Sequence, residues 1–190
     1  PGGLPPDALL GGIHLYSPLL HMPDGAGPTS RIKISPVALK DSEFDFVRDL
    51  HAHLLENQSA FAGKEFFLLR NKARGGGIGF FEAGSFYPDF ILWIIDGDRQ
   101  QIAFIEPHGL IHEGIASPKV QFCKVIKDIE KRLGNKHVTL SSFIVSPTQL
   151  GPLQRNFGLH SLEEFLQINI LLMKNDSAYV GRLLEKACMP

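Results

Sequence analysis

Cysteine is scarce in this chain: Cys123 and Cys188 are the two among 190 residues. Two cannot build a disulfide framework or a cysteine-rich metal site. Such low usage points to a reducing compartment, and the cytoplasm is the expected location. Long apolar runs are also lacking. The longest, Phe90–Ile95 and Ile168–Met173, fall far short of the roughly 20 residues of a membrane span. No signal-peptide pattern is visible. Neither sign of charge dominates: 19 Lys and Arg stand against 20 Asp and Glu, for a net charge of -1. That argues against a strongly basic nucleic-acid clamp, while a local basic patch stays open. Repeats and low-complexity segments are absent. An apolar share of 44% with 21% charged residues excludes a mainly disordered chain, a collagen or a coiled coil. The first residue is Pro1 rather than Met, and the expectation is a piece of a longer protein whose other parts share the work.

What is present fits one domain with a small appendage, large enough to bury a core without staples. Residues 1–30 are dense in Pro and Gly and read as a linker or N-terminal extension. Within them Ile13–Leu20 could add an edge strand, since Pro18 keeps it from a central position. Residues 31–190 read as the folded domain. Arg31–Ser35 alternates like a short strand. Residues 41–57 predict a helix, with Ser42 and Asp45 resembling a capping box. Val47, Leu50 and Leu54 form its buried stripe. Glu43 lies on that stripe one turn earlier. It is either a partly wet first-turn residue that suits the helix dipole or an active-site group.

Glu65–Arg70 reads as a strand, Gly75–Gly77 as a turn, and Ile78–Glu82 as a return strand. Phe86–Ile95 and Gln101–Glu106 flank Asp96-Gly97-Asp98 and predict an antiparallel hairpin. Ser117-Pro118 opens a second helix with Phe122, Ile126, Ile129 and Leu133 as its stripe, closed by Gly134-Asn135. Val138–Val145 is a buried strand. Further helices are expected after Ser161 and over about 176–187. The order of helix, three strands, helix and strand predicts an α/β fold with a mixed central sheet flanked by helices. Trp93 and most Phe residues are expected in the core.

Two segments carry chemistry: Tyr87-Pro88-Asp89-Phe90 and Glu106-Pro107-His108-Gly109. Asp89 starts one strand of the predicted hairpin and Glu106 ends its neighbour, so a favourable register brings them together. Glu106 and His108, two apart, share a strand face. Neighbouring carboxylates repel and raise each other's pKa. Placed among apolar strands, they make sense around a divalent cation such as Mg2+, which takes hard oxygen ligands and also touches phosphate; taken singly, Asp89 reads as the cap of a turn beside Pro88 and Glu106 as half of a salt bridge, and their pairing favours the ion. His108, His112 and Glu113 do not predict a zinc site, because Gly109 breaks the helix that would align them.

Pro88-Asp89, sixteen residues, then Glu106-Pro107-His108 resembles the PD-(D/E)xK nuclease superfamily. The strings Phe67-Leu68-Leu69-Arg70-Asn71, Gly77-Ile78-Gly79-Phe80-Phe81-Glu82, Phe86–Trp93 and Phe143–Thr148 are similar to the C-terminal nuclease domain of bacterial restriction-type, type III-like DEAD/DEAH helicases. The resemblance spans roughly residues 31–150. It implies a restriction-endonuclease-like αβββαβ core and a Mg2+- or Mn2+-dependent endonuclease hydrolysing phosphodiester bonds. It further implies DNA as substrate, with RNA still open, a helicase or ATPase partner in the same chain or complex, and a role in restriction or phage defence.

By that resemblance Asp89, Glu106 and the Pro107 carbonyl hold the metal, with Glu43 assisting from the first helix. The family's lysine position is occupied by His108. Three readings compete: His108 acts as base or ligand, a lysine from elsewhere takes the role, or the domain has lost cleavage and only binds nucleic acid or a partner protein. Lys119, at the start of the second helix, is the best migrant lysine, and its alternative is a lysine at a helix edge with its stem packed and its charge in water. Gln121 is a weaker polar candidate on the same helix. Arg70, Lys72 and Arg74, beside Gly75–Gly77, form the densest basic stretch, read either as phosphate contacts or as a solvated hairpin tip.

Overall fold

The computed structural model describes residues 13–16, for which only the backbone is placed, together with 38–72, 77–80 and 86–189. The expected Arg31–Ser35 strand, Gly75, Gly76 and Arg74 lie outside these residues.

The first helix, α1 (Asp41–Glu56), buries Phe46, Val47, Leu50 and Leu54. Its opening differs from the expected capping box. Lys40 is the residue before the helix, and its N–H donates to the Glu43 carboxylate at 3.4 Å. Asp45 instead pairs with Arg48 at 2.8 Å. An Asp is one methylene shorter than the Glu or Gln that the motif needs, so the helix closes on Glu43.

A meander follows. Strand β2 (Lys64–Arg70) runs antiparallel to β3 (Phe90–Asp96), which runs antiparallel to β4 (Arg99–Pro107). The predicted hairpin is present, with Asp96 opposite Arg99 and Phe90 opposite Ile105. Gly97 supplies the positive φ of 61° that its two-residue loop requires. Of the strand expected at Ile78–Glu82, Phe81 and Glu82 lie outside the described residues, and Phe80 bridges Phe86. Helix α2 (Pro118–Leu133) then crosses to β5 (Val138–Ser146), parallel to β4. Pro118 sits in its first turn and Gly134 ends it at φ 63°. Phe122 and Ile126 are buried and Ile129 is partly so, but Leu133 is 54% exposed.

The chain thus runs α1-β2-β3-β4-α2-β5, the expected αβββαβ order. Around it are β1 (Ile13–Tyr16), parallel to β2 at one sheet edge, and β6 (Ile170–Leu172), parallel to β5 at the other. The sheet is mixed and six-stranded, in sequential order. Helices α3 (Leu150–Phe157), α4 (Leu162–Gln167) and α5 (Tyr179–Cys188) complete it. Helices α1 and α5 cover one face through Leu50, Leu54, Leu183 and Leu184 against Phe66, Leu92, Ile105 and Val145. Helices α2, α3 and α4 cover the other. Trp93 lies at the margin of that second core, its indole N–H donating to Gln100. Among the described residues no helix is long and apolar enough to cross a membrane.

Candidate active site

One end of the sheet collects the expected residues. Strands β2 and β4 run parallel and finish there, at Arg70 and Pro107; β3 starts there, just after Asp89. The N-termini of α1 and α2 arrive at the same end, bringing Ser42, Glu43 and Lys119. The hairpin register decides the central contact. With Phe90 opposite Ile105, the next pair outward is Asp89 and Glu106, and the Asp89 N–H donates to Glu106 Oε2 at 3.2 Å.

Alternation sets the faces. Ile91 and Phe104 pack with Phe122 on the α2 side. Glu106, two residues past Phe104, falls on that side as well. Lys119 rises from the first turn of α2 and places Nζ 2.8 Å from Glu106 Oε1. The ring of Phe122 meets Phe80, Phe86 and Phe104 with centroids 4.6, 5.0 and 6.3 Å apart. These contacts clamp α2 onto the segment that leads into Asp89.

Glu43 comes from the α1 side and is 3% exposed, not partly wet. Arg70 Nη2 reaches Glu43 Oε2 at 3.1 Å and the Ala38 carbonyl at 3.2 Å. Lys40 Nζ adds a contact at 3.6 Å. Arg70, expected to face phosphate, is mostly buried in this pair. Lys72 is exposed. The Gln121 amide donates to the Ile115 carbonyl.

The electrostatics are uneven. The Asp89 carboxyl is pushed up to about 7, first by burial, then by Glu106 and Glu43, with Lys40 and Lys119 opposing. Its ionised form is therefore undersupplied with positive charge. His108 is shifted down, mainly by burial and by Lys119, with Glu106 and Glu113 opposing. Its imidazole is neutral at pH 7. Its Nε2 lies 3.9 Å from Glu113 Oε1.

Among the described residues no group of three or more His, Cys, Asp or Glu side chains is gathered for an ion. The donor set on the α2 side still suits a hard cation. Asp89 and Glu106 offer carboxylate oxygens, Pro107 offers a carbonyl, and Mg2+ ordinarily leaves remaining positions to water and phosphate. Glu43 is held by Arg70 and Lys40 and still acts on the Asp89 carboxyl. The Pro107 carbonyl accepts a bond from Ser42 Oγ at 3.2 Å and keeps a second lone pair.

Several contributors were not singled out in the sequence. Ser42 is one. Asn71 is another: its backbone N–H donates to the Asp89 carbonyl at 2.8 Å and its side chain to the Pro88 carbonyl at 2.8 Å. The 109–117 segment joins His108 to Lys119 and is held throughout. Leu110 N–H donates to Thr148 Oγ1 at 3.0 Å, Asn156 donates to the Ile111 carbonyl at 2.6 Å, and Ser117 N–H to the Gly114 carbonyl at 2.9 Å. Small polar residues of this kind give no sequence signal, because their partners lie tens of residues away.

No family model matches the chain, and no curated protein or solved structure matches it either.

Proposed function

We propose that the chain is a metal-dependent nuclease domain that hydrolyses phosphodiester bonds in DNA, resembling the PD-(D/E)xK enzymes and working with a helicase or ATPase motor in the cytoplasm. The observation that carries this reading is the contact of Lys119 with Glu106 at 2.8 Å, on the carboxylate whose other oxygen is bound by the Asp89 N–H. An acid pair touched by a lysine is the chemistry the family needs, even though His108 fills the family's usual lysine position. Asp89, Glu106 and the Pro107 carbonyl would hold Mg2+ or Mn2+, which polarises the scissile phosphate and acidifies water. Lys119 sets a permanent cation beside the site, suited to charge that grows on the phosphate oxygens. His108 is neutral at pH 7 and offers an unprotonated ring nitrogen to accept a proton from the attacking water. Lys72, exposed at the end of β2, suits the phosphate backbone of the strand.

A second reading is a domain that binds nucleic acid or a partner protein without cutting. The observation favouring it is His108 itself, a residue without lysine's permanent charge at that position.

Cleavage of labelled single- and double-stranded DNA with Mg2+, Mn2+ or EDTA separates the two. The comparison uses wild type, Asp89→Ala, Lys119→Ala and His108→Lys. The nuclease reading expects metal-dependent cutting that both alanine variants lose. Cutting by His108→Lys alone supports a degenerate site. Cutting by none, with the motor supplied, overturns the nuclease.

A further inference from the structure

Asp89 is held by more than its partner carboxylate. The Asn71 side chain makes three hydrogen bonds at once. Nδ2 donates to the Pro88 carbonyl at 2.8 Å and to the Ile78 carbonyl at 2.7 Å, and Oδ1 accepts from the Ile78 N–H at 2.9 Å. Its own backbone N–H donates to the Asp89 carbonyl at 2.8 Å. Two donors and one acceptor are what a carboxamide can offer in this orientation.

The peptide units on both sides of Asp89 are therefore tied. The Pro88 carbonyl and the Asp89 carbonyl go to Asn71, and the Asp89 N–H goes to Glu106. Asp89 precedes β3 by one residue, and its carbonyl accepts the last backbone bond of the β2–β3 register, from the Asn71 N–H. The Asn71 side chain, one residue past the end of β2, adds a hold on the preceding peptide through the Pro88 carbonyl. The same side chain grips both backbone groups of Ile78. Backbone comes so close to Asn71 that a Cβ on Gly77 would collide with the Lys72 carbonyl and with Asn71 Oδ1. A glycine at 77 is thus a condition of the Asn71 arrangement.

We infer that Asn71 is the positioning residue of the candidate site: it fixes the backbone of Asp89, so that the carboxylate is presented beside Glu106 before any ion arrives. The inference rests on the metal-site reading above. Residues that orient a ligating carboxylate typically matter about 10–100-fold in metal affinity.

Three variants test it, with Asp89→Ala beside them to show whether Mn2+ binds at Asp89. Asn71→Asp keeps the shape and turns the donor toward two carbonyls into an acceptor. Gly77→Ala leaves Asn71 in place but forces its amide aside. Asn57→Ala is the control: it removes a comparable bond, to the His53 carbonyl at 2.8 Å, at the far end of α1. Two readouts are taken on the intact chain, Mn2+ affinity by calorimetry and amide hydrogen exchange at Asp89 without metal. The inference expects Asn71→Asp and Gly77→Ala to weaken Mn2+ binding about 10–100-fold and to speed Asp89 exchange about tenfold or more, with Asn57→Ala changing neither. Unchanged exchange at Asp89 overturns the inference, whatever happens to Mn2+. Wild-type Mn2+ affinity in Asn71→Asp, with Asp89→Ala abolishing binding, overturns it as well. Faster exchange with Mn2+ binding indifferent to Asp89→Ala upholds the clamp and removes the metal-site reading instead.

Discussion

Two acidic sites share one end of the sheet, and they are built oppositely. On the α1 side one carboxylate, Glu43, has two cations, Arg70 at 3.1 Å and Lys40 at 3.6 Å. On the α2 side two carboxylates, Asp89 and Glu106, have one close cation, Lys119 at 2.8 Å from Glu106. The first is electrically closed. The second has two carboxylates for one close cation, and burial, then Glu106 and Glu43, push the Asp89 carboxyl up to about 7. Buried charge that is paired serves structure; buried charge left wanting a counterion marks where function is to be sought.

The largest effect is expected from opening the closed side. Arg70→Ala leaves Glu43 buried with only an exposed lysine for company. Breaking such a pair costs about 3–5 kcal/mol, measured by urea unfolding. A loss below about 1 kcal/mol would mean that Glu43 is not dependent on Arg70 and that the two sides are alike.

Next comes the single cation of the open side. Under the nuclease reading, Lys119→Met lowers the cleavage rate about 100- to 1,000-fold, the usual worth of one group stabilising developing charge. Single-turnover kinetics at saturating Mn2+ checks it. An unchanged rate would reduce Lys119 to a neutraliser of Glu106.

The third prediction concerns pH. The Asp89 carboxyl has a folded pKa of about 7, above the ordinary value near 3.9. Between these values the folded state binds more protons than the unfolded one, so metal-free stability falls as pH rises through that window. Asp89→Asn removes the dependence and is more stable than wild type at pH 8, by about 1–3 kcal/mol after allowing for residual exposure. Thermal melts at pH 5 and 8 in EDTA measure it. Mn2+ should restore wild-type stability at pH 8 and leave the variant unmoved. A flat wild-type profile would say that the open side is already balanced.

The smallest effect joins the two sides. Ser42 Oγ, on α1, donates to the Pro107 carbonyl at 3.2 Å. Ser42→Ala should cost about 1 kcal/mol and free that carbonyl. Mn2+ affinity that stays level or rises while stability drops would confirm that the bond is structural.

The contrast between the sides also marks what was legible in the sequence. The hairpin, its Asp-Gly-Asp turn and the convergence of Asp89 with Glu106 follow from local alternation and turn chemistry, which short stretches of sequence carry in full. Lys119 was legible because Ser117-Pro118 fixes where α2 begins. The Glu43–Arg70 pair was not, since its members lie 27 residues apart and no local pattern joins them. Ser42 looked like a cap because a capping box is a local pattern, and the longer reach of Glu43 settled the competition. Leu133 fits the α2 stripe by period but lies in the last turn beside Gly134; periodicity gives a helix's face and not the length of surface beneath it. Helix α3 and the short strand β6 carry no period long enough to stand out.

The segment from Gly109 to Ser117 acts as a ruler. His108 and Lys119 sit at its two ends, and Thr148, Asn156 and Gln121 bind it at three points along its length. Its contour is therefore a specification rather than slack, and changing its length would change the spacing of the residues it connects. Added residues should disturb the candidate site least at the Gly97-Asp98 turn or after Gly134, at the end of the sheet opposite Asp89 and Glu106. The same addition between Gly109 and Ser117 would shift the start of α2 along Glu106, so a tag or a label is tolerated at those two turns and not in this segment.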